Sequence, residues 1–145
     1  MSKNAIATVF YPEAKDYIVD FLLSVKDQTM NDFVLIILNN GLKNINNYFK
    51  GIRITNIIEE IKLPAALARE RLIKIALNQS IEKIIFADCD DIMHPDRLEI
   101  SLEKLTYFDV VVNDVCLFNN NLNLDKYFSN SLSNLQNIDL NMLYE

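Results

Sequence analysis

Apolar residues along this chain follow two rhythms: short continuous runs, and stretches that recur every three or four positions. Ala5 to Phe10 is a run of small and β-branched residues broken at Tyr11-Pro12, which predicts a strand. From Ala14 to Lys26, Tyr17, Ile18, Phe21, Leu22 and Val25 fall at helical spacing and give one broad apolar face. Phe33 to Leu38 is apolar throughout, as in a central parallel strand covered on both faces, and stops at Asn39-Asn40-Gly41. Lys43 to Lys50 is polar and reads as loop or short helix, and Ile52 to Ile57 as a third, shorter strand. Pro64 opens a helix to about Asn78, with Ala65, Ala68, Leu72, Ile75 and Ala76 on its packed side. A strand over Lys83–Ala87 follows, and His94-Pro95 begins a helix with Leu98, Leu102 and Leu105 as its core stripe. Val110 to Phe118 predicts a strand interrupted at Asn113-Asp114, and Asn119-Asn120-Asn121 a turn. The asparagine-rich remainder, with Leu132, Leu135, Ile138, Leu140 and Leu143, accommodates one short helix.

Strand–helix–strand alternation of this kind predicts the α/β class, as a three-layer α/β/α sandwich around a mostly parallel central sheet. A chain of 145 residues, half of them hydrophobic, is expected to form one globular domain over 1–145. The net charge of -6, with no long basic run, argues against a nucleic-acid partner. Cys89 and Cys116 lack metal-ligand spacing and read as reduced thiols in the core or lining a site. No apolar stretch approaches the roughly 18–20 residues of a membrane span. Met1-Ser2-Lys3-Asn4 leads straight into a strand without a signal peptide, so the expected location is cytoplasmic.

Charge changes the picture at one place. Ile84-Ile85-Phe86-Ala87 stops abruptly at Asp88-Cys89-Asp90-Asp91. Carboxylates this close repel one another unless a cation or a set of donors compensates, and α/β sheets bind ligands just beyond the carboxyl ends of their strands. The pattern reads as a metal or phosphate–metal site; the plainer alternative is a solvated acidic turn capping the next helix. With only two glycines, neither a P-loop nor a G-x-G-x-x-G fingerprint can be written on the sequence. A divalent ion bridging Asp88 or Asp90 to a diphosphate is the remaining obvious means of holding phosphates.

Neighbouring strand ends add candidates. The first strand delivers Thr8, Phe10 and Tyr11, suited to backbone contacts with a base and to an aromatic wall beside it. The second delivers Asn39, whose amide carries both a donor and an acceptor. Plainer roles stand beside these, with Phe10 and Tyr11 as core and rim and Asn39 as part of a turn. Arg69, near the start of its helix, is placed to reach a diphosphate or to form a surface ion pair, and Arg71 lies beside it. His94 is a candidate ligand or a helix cap. A single histidine leaves nothing from which to build a nucleophilic triad.

In order, these pieces resemble the family-2 glycosyltransferases of the GT-A fold. Ala5-Ile6-Ala7-Thr8-Val9-Phe10-Tyr11-Pro12 looks like that family's first strand, and Lys26-Asp27-Gln28-Thr29 matches its "S-V-x-x-Q-T" helix end. Phe33–Leu38 with Asn39-Asn40-Gly41 resembles "E-L-I-I-V-D-D-G-S", and Ala66-Leu67-Ala68-Arg69-Glu70 resembles "A-x-A-R-N". Phe86-Ala87-Asp88-Cys89-Asp90-Asp91 with His94-Pro95-Asp96-Arg97-Leu98-Glu99 is similar to "F-L-D-x-D-D … P-x-x-L-E", the most specific part. The match runs from about Ala5 to Phe118.

The resemblance implies a nucleotide-diphosphate-sugar donor, commonly a UDP-sugar, and a manganese or magnesium ion. It makes Asp90 the principal metal ligand and Asp88 a contact to ribose or metal. Tyr11, with Phe10, and Asn39 would flank the base, and Arg69 would lie near the diphosphate. It further implies transfer with inversion to an acceptor hydroxyl, saccharide or lipid-linked, of the kind used in polysaccharide biosynthesis. Asn39 departs from the family's usual aspartate. The family's catalytic base lies well beyond the acidic motif; Asp114, Asp125 and Asp139 are the downstream aspartates, none in matching context. The expectation is therefore a donor-binding half with the acceptor half largely absent and the base unassigned. The alternative is a non-catalytic nucleotide-binding or assembly module that pairs with a copy of itself or another chain. A phosphoacceptor receiver domain is the third class, disfavoured by Phe10-Tyr11 where it would need acids.

Overall fold

The structure is a computed structural model that describes residues 2–113, 115–118 and 124–128. It divides into two compact units, 1–109 and 110–145. In the first, β1 (Asn4–Phe10), β2 (Val34–Asn39), β3 (Asn56–Glu60) and β4 (Lys83–Phe86) form a parallel sheet in the order β3-β2-β1-β4. Side chains alternate across it. Ile6, Phe10, Leu35, Ile37 and Ile85 pack with α1 (Ile18–Lys26) and α3 (Arg97–Lys104) on one face. Ala5, Ala7, Val34, Ile36 and Leu38 pack with α2 (Ala65–Asn78) on the other. This is the expected three-layer α/β/α sandwich. The second unit contributes an antiparallel pair, β5 (Val115–Phe118) and β6 (Leu124–Phe128).

The chain lays β2 and then β3 to one side of β1 before crossing back to place β4 on the other side. The order therefore reverses between β1 and β4, and open α/β sheets bind ligands at the carboxyl ends of the strands where the order reverses. Tyr11 follows β1 and Asp88 follows β4 at this place.

Several elements differ from the hydrophobic pattern. Pro12–Ala14 forms a 3-10 turn and α1 starts only at Ile18, which leaves Tyr17 outside the core, 56% exposed. Ile45–Phe49 is a 3-10 helix, the short helix that the polar stretch allowed. The third strand is Asn56–Glu60 and not Ile52 to Ile57, because Ile52 and Ile54 pack against the α1-side core instead of pairing. As an edge strand β3 tolerates its two glutamates, and Glu59 forms a two-point ion pair with Arg71 of α2 at 2.6 and 2.7 Å. Ala65 is exposed at the tip of α2, whereas Ala68, Leu72, Ile75 and Ala76 are buried as expected. Residues 110–113 are not strand, so β5 is shorter than the run from Val110 suggests. The interruption at Asp114, the asparagine turn and the scattered leucines from Leu132 onward fall outside the described residues.

A further difference exposes how the fold is stitched. α3 begins at Arg97, after Pro95, and the carbonyls of His94 and Pro95 accept bonds from the residues just beyond α1. The Gln28 side-chain amide donates to the His94 carbonyl at 2.9 Å, and the Thr29 N–H to the Pro95 carbonyl at 2.8 Å. Asp96, preceding α3, makes no side-chain cap. Gln28 supplies one from another element, its Oε1 accepting the Leu98 N–H at 2.9 Å. Ser24 Oγ likewise accepts the Met93 N–H at 3.1 Å. α1 thus holds the whole segment that follows the acidic tip.

Two outcomes follow. Gln28→Ala leaves the buried Leu98 N–H unpaired, which costs on the order of 2 kcal/mol. Thermal unfolding should register this as a melting temperature lower by roughly 5–10 °C, and an unchanged one would show that the amide carries no net stability. The Glu59–Arg71 pair holds the Glu59 carboxyl below its ordinary value of 4.5. Its contribution, ~1 kcal/mol for a partly exposed pair, is present in full above that value and is lost as pH falls through the lower folded one. Denaturant titrations of Glu59→Gln and the unsubstituted chain should differ at pH 7 and converge in acid.

Candidate functional site

The tip of β4 alternates like the strand that precedes it. Asp88 and Asp90 are exposed, and Cys89 between them is fully buried in the core beneath α1 and α3. Burial, then the Asp90 charge, pushes the Cys89 thiol up to about 12, so it stays a neutral core group, even with the Tyr11 backbone N–H directed at its sulfur. The cysteine fixes the loop while its two neighbours face out.

Partners from two other elements meet those carboxylates. The Tyr11 hydroxyl donates to Asp90 Oδ2 at 2.9 Å. Its burial, followed by that hydrogen bond, raises its pKa and keeps it a donor. Arg69 of α2 reaches Asp88 Oδ1 at 3.2 Å, with both side chains more than half exposed. Asp91 turns back so that its N–H meets the Asp88 carbonyl at 3.2 Å. Partial burial, then the charges of Asp90 and Asp88, raises the Asp91 carboxyl pKa. Arg97 faces this negative field from α3 while donating to the Phe86 carbonyl at 3.0 Å. Its Nε is buried without a partner, one of two such atoms among the described residues.

The remaining candidates occupy different places. Phe10 is fully buried, edge-on to Phe21 with ring centroids 6.1 Å apart, so its ring belongs to the core and only its backbone reaches the strand tip. Thr8 is buried too, its hydroxyl without a partner. Asn39 is 4% exposed, and its amide closes the loop after β2 by accepting the Leu42 N–H and donating to the Leu42 carbonyl, each at 2.9 Å. That loop borders an open cleft of about 560 Å³ at the ends of β2 and β3, lined also by Lys43, Glu60 and Lys62. Gly41 is needed in it, with φ of +99° and the Lys62 chain 2.8 Å from where a Cβ would stand. Arg71 is committed to Glu59, away from the acids. His94 lies against Asp96 at the start of α3. Asp114 and Asp139 fall outside the described residues, and Asp125 lies in β6.

The pattern pointed to Asp88, Asp90, Tyr11 and Arg69, and the fold brings them together. It gave no role to Cys89 beyond the core or site lining, and none to Gln28 or Arg97. The alternation of exposed and buried positions continuing past the strand was the available signal for Cys89. For Gln28 the motif match at Lys26-Asp27-Gln28-Thr29 marked the residue but not its distant partner, and for Arg97, bonded to the Phe86 carbonyl, there was none.

The donor set is oxygen-only, exposed and crowded, which suits a hard divalent cation shared with a phosphate ligand. It does not suit a closed protein cage, for no group of three or more metal-ligating side chains occurs among the described residues. No helix among them is long and apolar enough to cross a membrane.

Solved structures of similar fold include residues 1–349 of TarS from S. aureus, with a TM-score of 0.54 at 16% identity, aligned over 73% of this chain and 32% of that one. The same fragment in complex with UDP-GlcNAc gives a TM-score of 0.54 at 16% identity, over 73% and 31%. For the longer TarS structure the TM-score is 0.51 at 16% identity, over 73% and 19%. This likeness is one of fold, and the chain spans about a third or less of those proteins. A search of curated proteins returned no match. Residues 5–144 match the family described as Glycosyl transferase family 2. The motif order, the parallel sheet with its acidic tip and this near full-length match agree: the chain belongs to glycosyl transferase family 2.

Proposed function

We propose that the chain binds a nucleotide-diphosphate sugar through a divalent cation held at Asp88 and Asp90, and that it serves transfer of the sugar, with inversion, to an acceptor hydroxyl. The observation that carries this reading is convergence at the reversal of strand order. Asp88 and Asp90 leave β4 there, Tyr11 arrives from β1 and Arg69 from α2. The TarS fragment of similar fold has been determined with UDP and with UDP-GlcNAc, which supports a UDP-sugar as the first donor to test.

Manganese or magnesium at this position would supply positive charge for a departing diphosphate. The protein's part is to hold and orient. Asp88 and Asp90 offer exposed carboxylate oxygens, anchored through Cys89. Arg69 is exposed enough to turn from Asp88 to a diphosphate oxygen, which a guanidinium recognises at two points. The Tyr11 ring would wall the base, with buried Phe10 setting its height. Asn39 would act through the loop it closes beside the cleft. The acceptor, a saccharide or lipid-linked hydroxyl, would lose its proton to a carboxylate base that is not assigned.

Manganese together with a UDP- or GDP-sugar is expected to raise the melting temperature of the purified chain. A ligand at a hundredfold its Kd adds about 2.7 kcal/mol, a shift of several degrees. Asp90→Ala should abolish the shift yet leave the unliganded melting temperature nearly unchanged, because the side chain is exposed. No stabilisation by any sugar nucleotide with either metal would overturn the reading.

A further inference from the structure

We propose that Tyr11 is a positioning residue whose hydroxyl fixes the orientation in which Asp90 takes the cation. This rests on the cation reading above and names the group that prepares the site for it.

Tyr11 is itself held firmly. It follows the buried Phe10 and precedes Pro12, in extended backbone with φ of -141° and ψ of 156°. Its carbonyl accepts the Ala14 N–H at 3.1 Å, opening the turn after β1, and its own N–H is directed at the buried Cys89 sulfur. Asp90 is the opposite case, an exposed side chain on a turn beside two like charges. Left alone, such a carboxylate swings among rotamers and away from its neighbours. The 2.9 Å hydrogen bond from Tyr11 to Oδ2 ties it to the rigid end of β1. One oxygen is occupied by the phenol, and a carboxylate has a second to give. Hydrogen-bond partners of this kind set the orientation of metal-ligating carboxylates, and removing one weakens metal binding by roughly 10–100-fold. The ring and the hydroxyl thus have separable tasks, the first beside the base and the second on Asp90.

Tyr11→Phe keeps the ring and removes only the donor. Manganese binding can be followed directly, by the paramagnetic resonance of the free ion, with no turnover required. The substitution is expected to raise the manganese Kd by about tenfold. The UDP Kd at saturating manganese should stay within about twofold, and the unliganded melting temperature within about 2 °C, since no buried apolar contact is lost. An unchanged or tighter manganese Kd would overturn the proposal. So would a parallel loss of both affinities with a lowered melting temperature, which would make Tyr11 a structural residue only. If the unsubstituted chain takes up no manganese, the cation reading falls and this inference with it. If that chain binds manganese, Asp90→Ala does not and Tyr11→Phe binds as well as the unsubstituted chain, the cation reading stands and the positioning role alone is refuted.

Discussion

Like-charge repulsion at the end of β4 is the constraint to which the rest of the first unit responds. Asp88, Asp90 and Asp91 stand within four positions at a strand end, and partial burial, then the charges of Asp90 and Asp88, raises the Asp91 carboxyl pKa. Arg69 lies against Asp88, Tyr11 against Asp90, and Arg97 faces Asp91 and Asp88 from behind. These partners come from α2, the end of β1 and α3, around the point where the strand order reverses. Exposed carboxylate oxygens balanced by single donors in this way are the arrangement on which the proposed cation and phosphate binding rests.

Behind the acids the scaffold is built to hold still. Cys89 is buried between the exposed carboxylates, so the loop cannot rotate without pulling a side chain out of the core. The loop then runs into Met93, His94 and Pro95, which are bonded to Ser24 near the end of α1 and to Gln28 and Thr29 just beyond it. Two stretches about seventy residues apart, one ending α1 and the other starting α3, are thereby locked together. This gives the motif resemblance a physical content: Gln28 is a helix cap for another helix.

The layers and the site were legible in the sequence to different depths. Continuous apolar runs at β1 and β2 revealed buried parallel strands because both of their faces are covered. The abrupt Asp88-Cys89-Asp90-Asp91 after such a run marked the end of β4. Edges and starts were obscured wherever a local pattern was overridden by distant contacts. Ile52 and Ile54 looked like strand yet serve the α1-side core, and Pro95 looked like a helix start until its carbonyl met Thr29. Arg69 could be drawn to a phosphate or to a surface partner on sequence alone, and only the sheet order places Asp88 within its reach. Asn39 was readable as a strand-tip amide, but its commitment to Leu42 depends on the loop geometry that Gly41 permits.

The most direct test is to locate the cation by paramagnetic broadening. In amide spectra of the labelled chain, substoichiometric manganese with UDP should first erase the resonances of residues 88–91 and of Tyr11, leaving β3 and the amino end of the sheet sharp. Broadening centred on Glu59 and Glu60, or spread evenly over the acidic surface, would contradict a cation gripped at the end of β4.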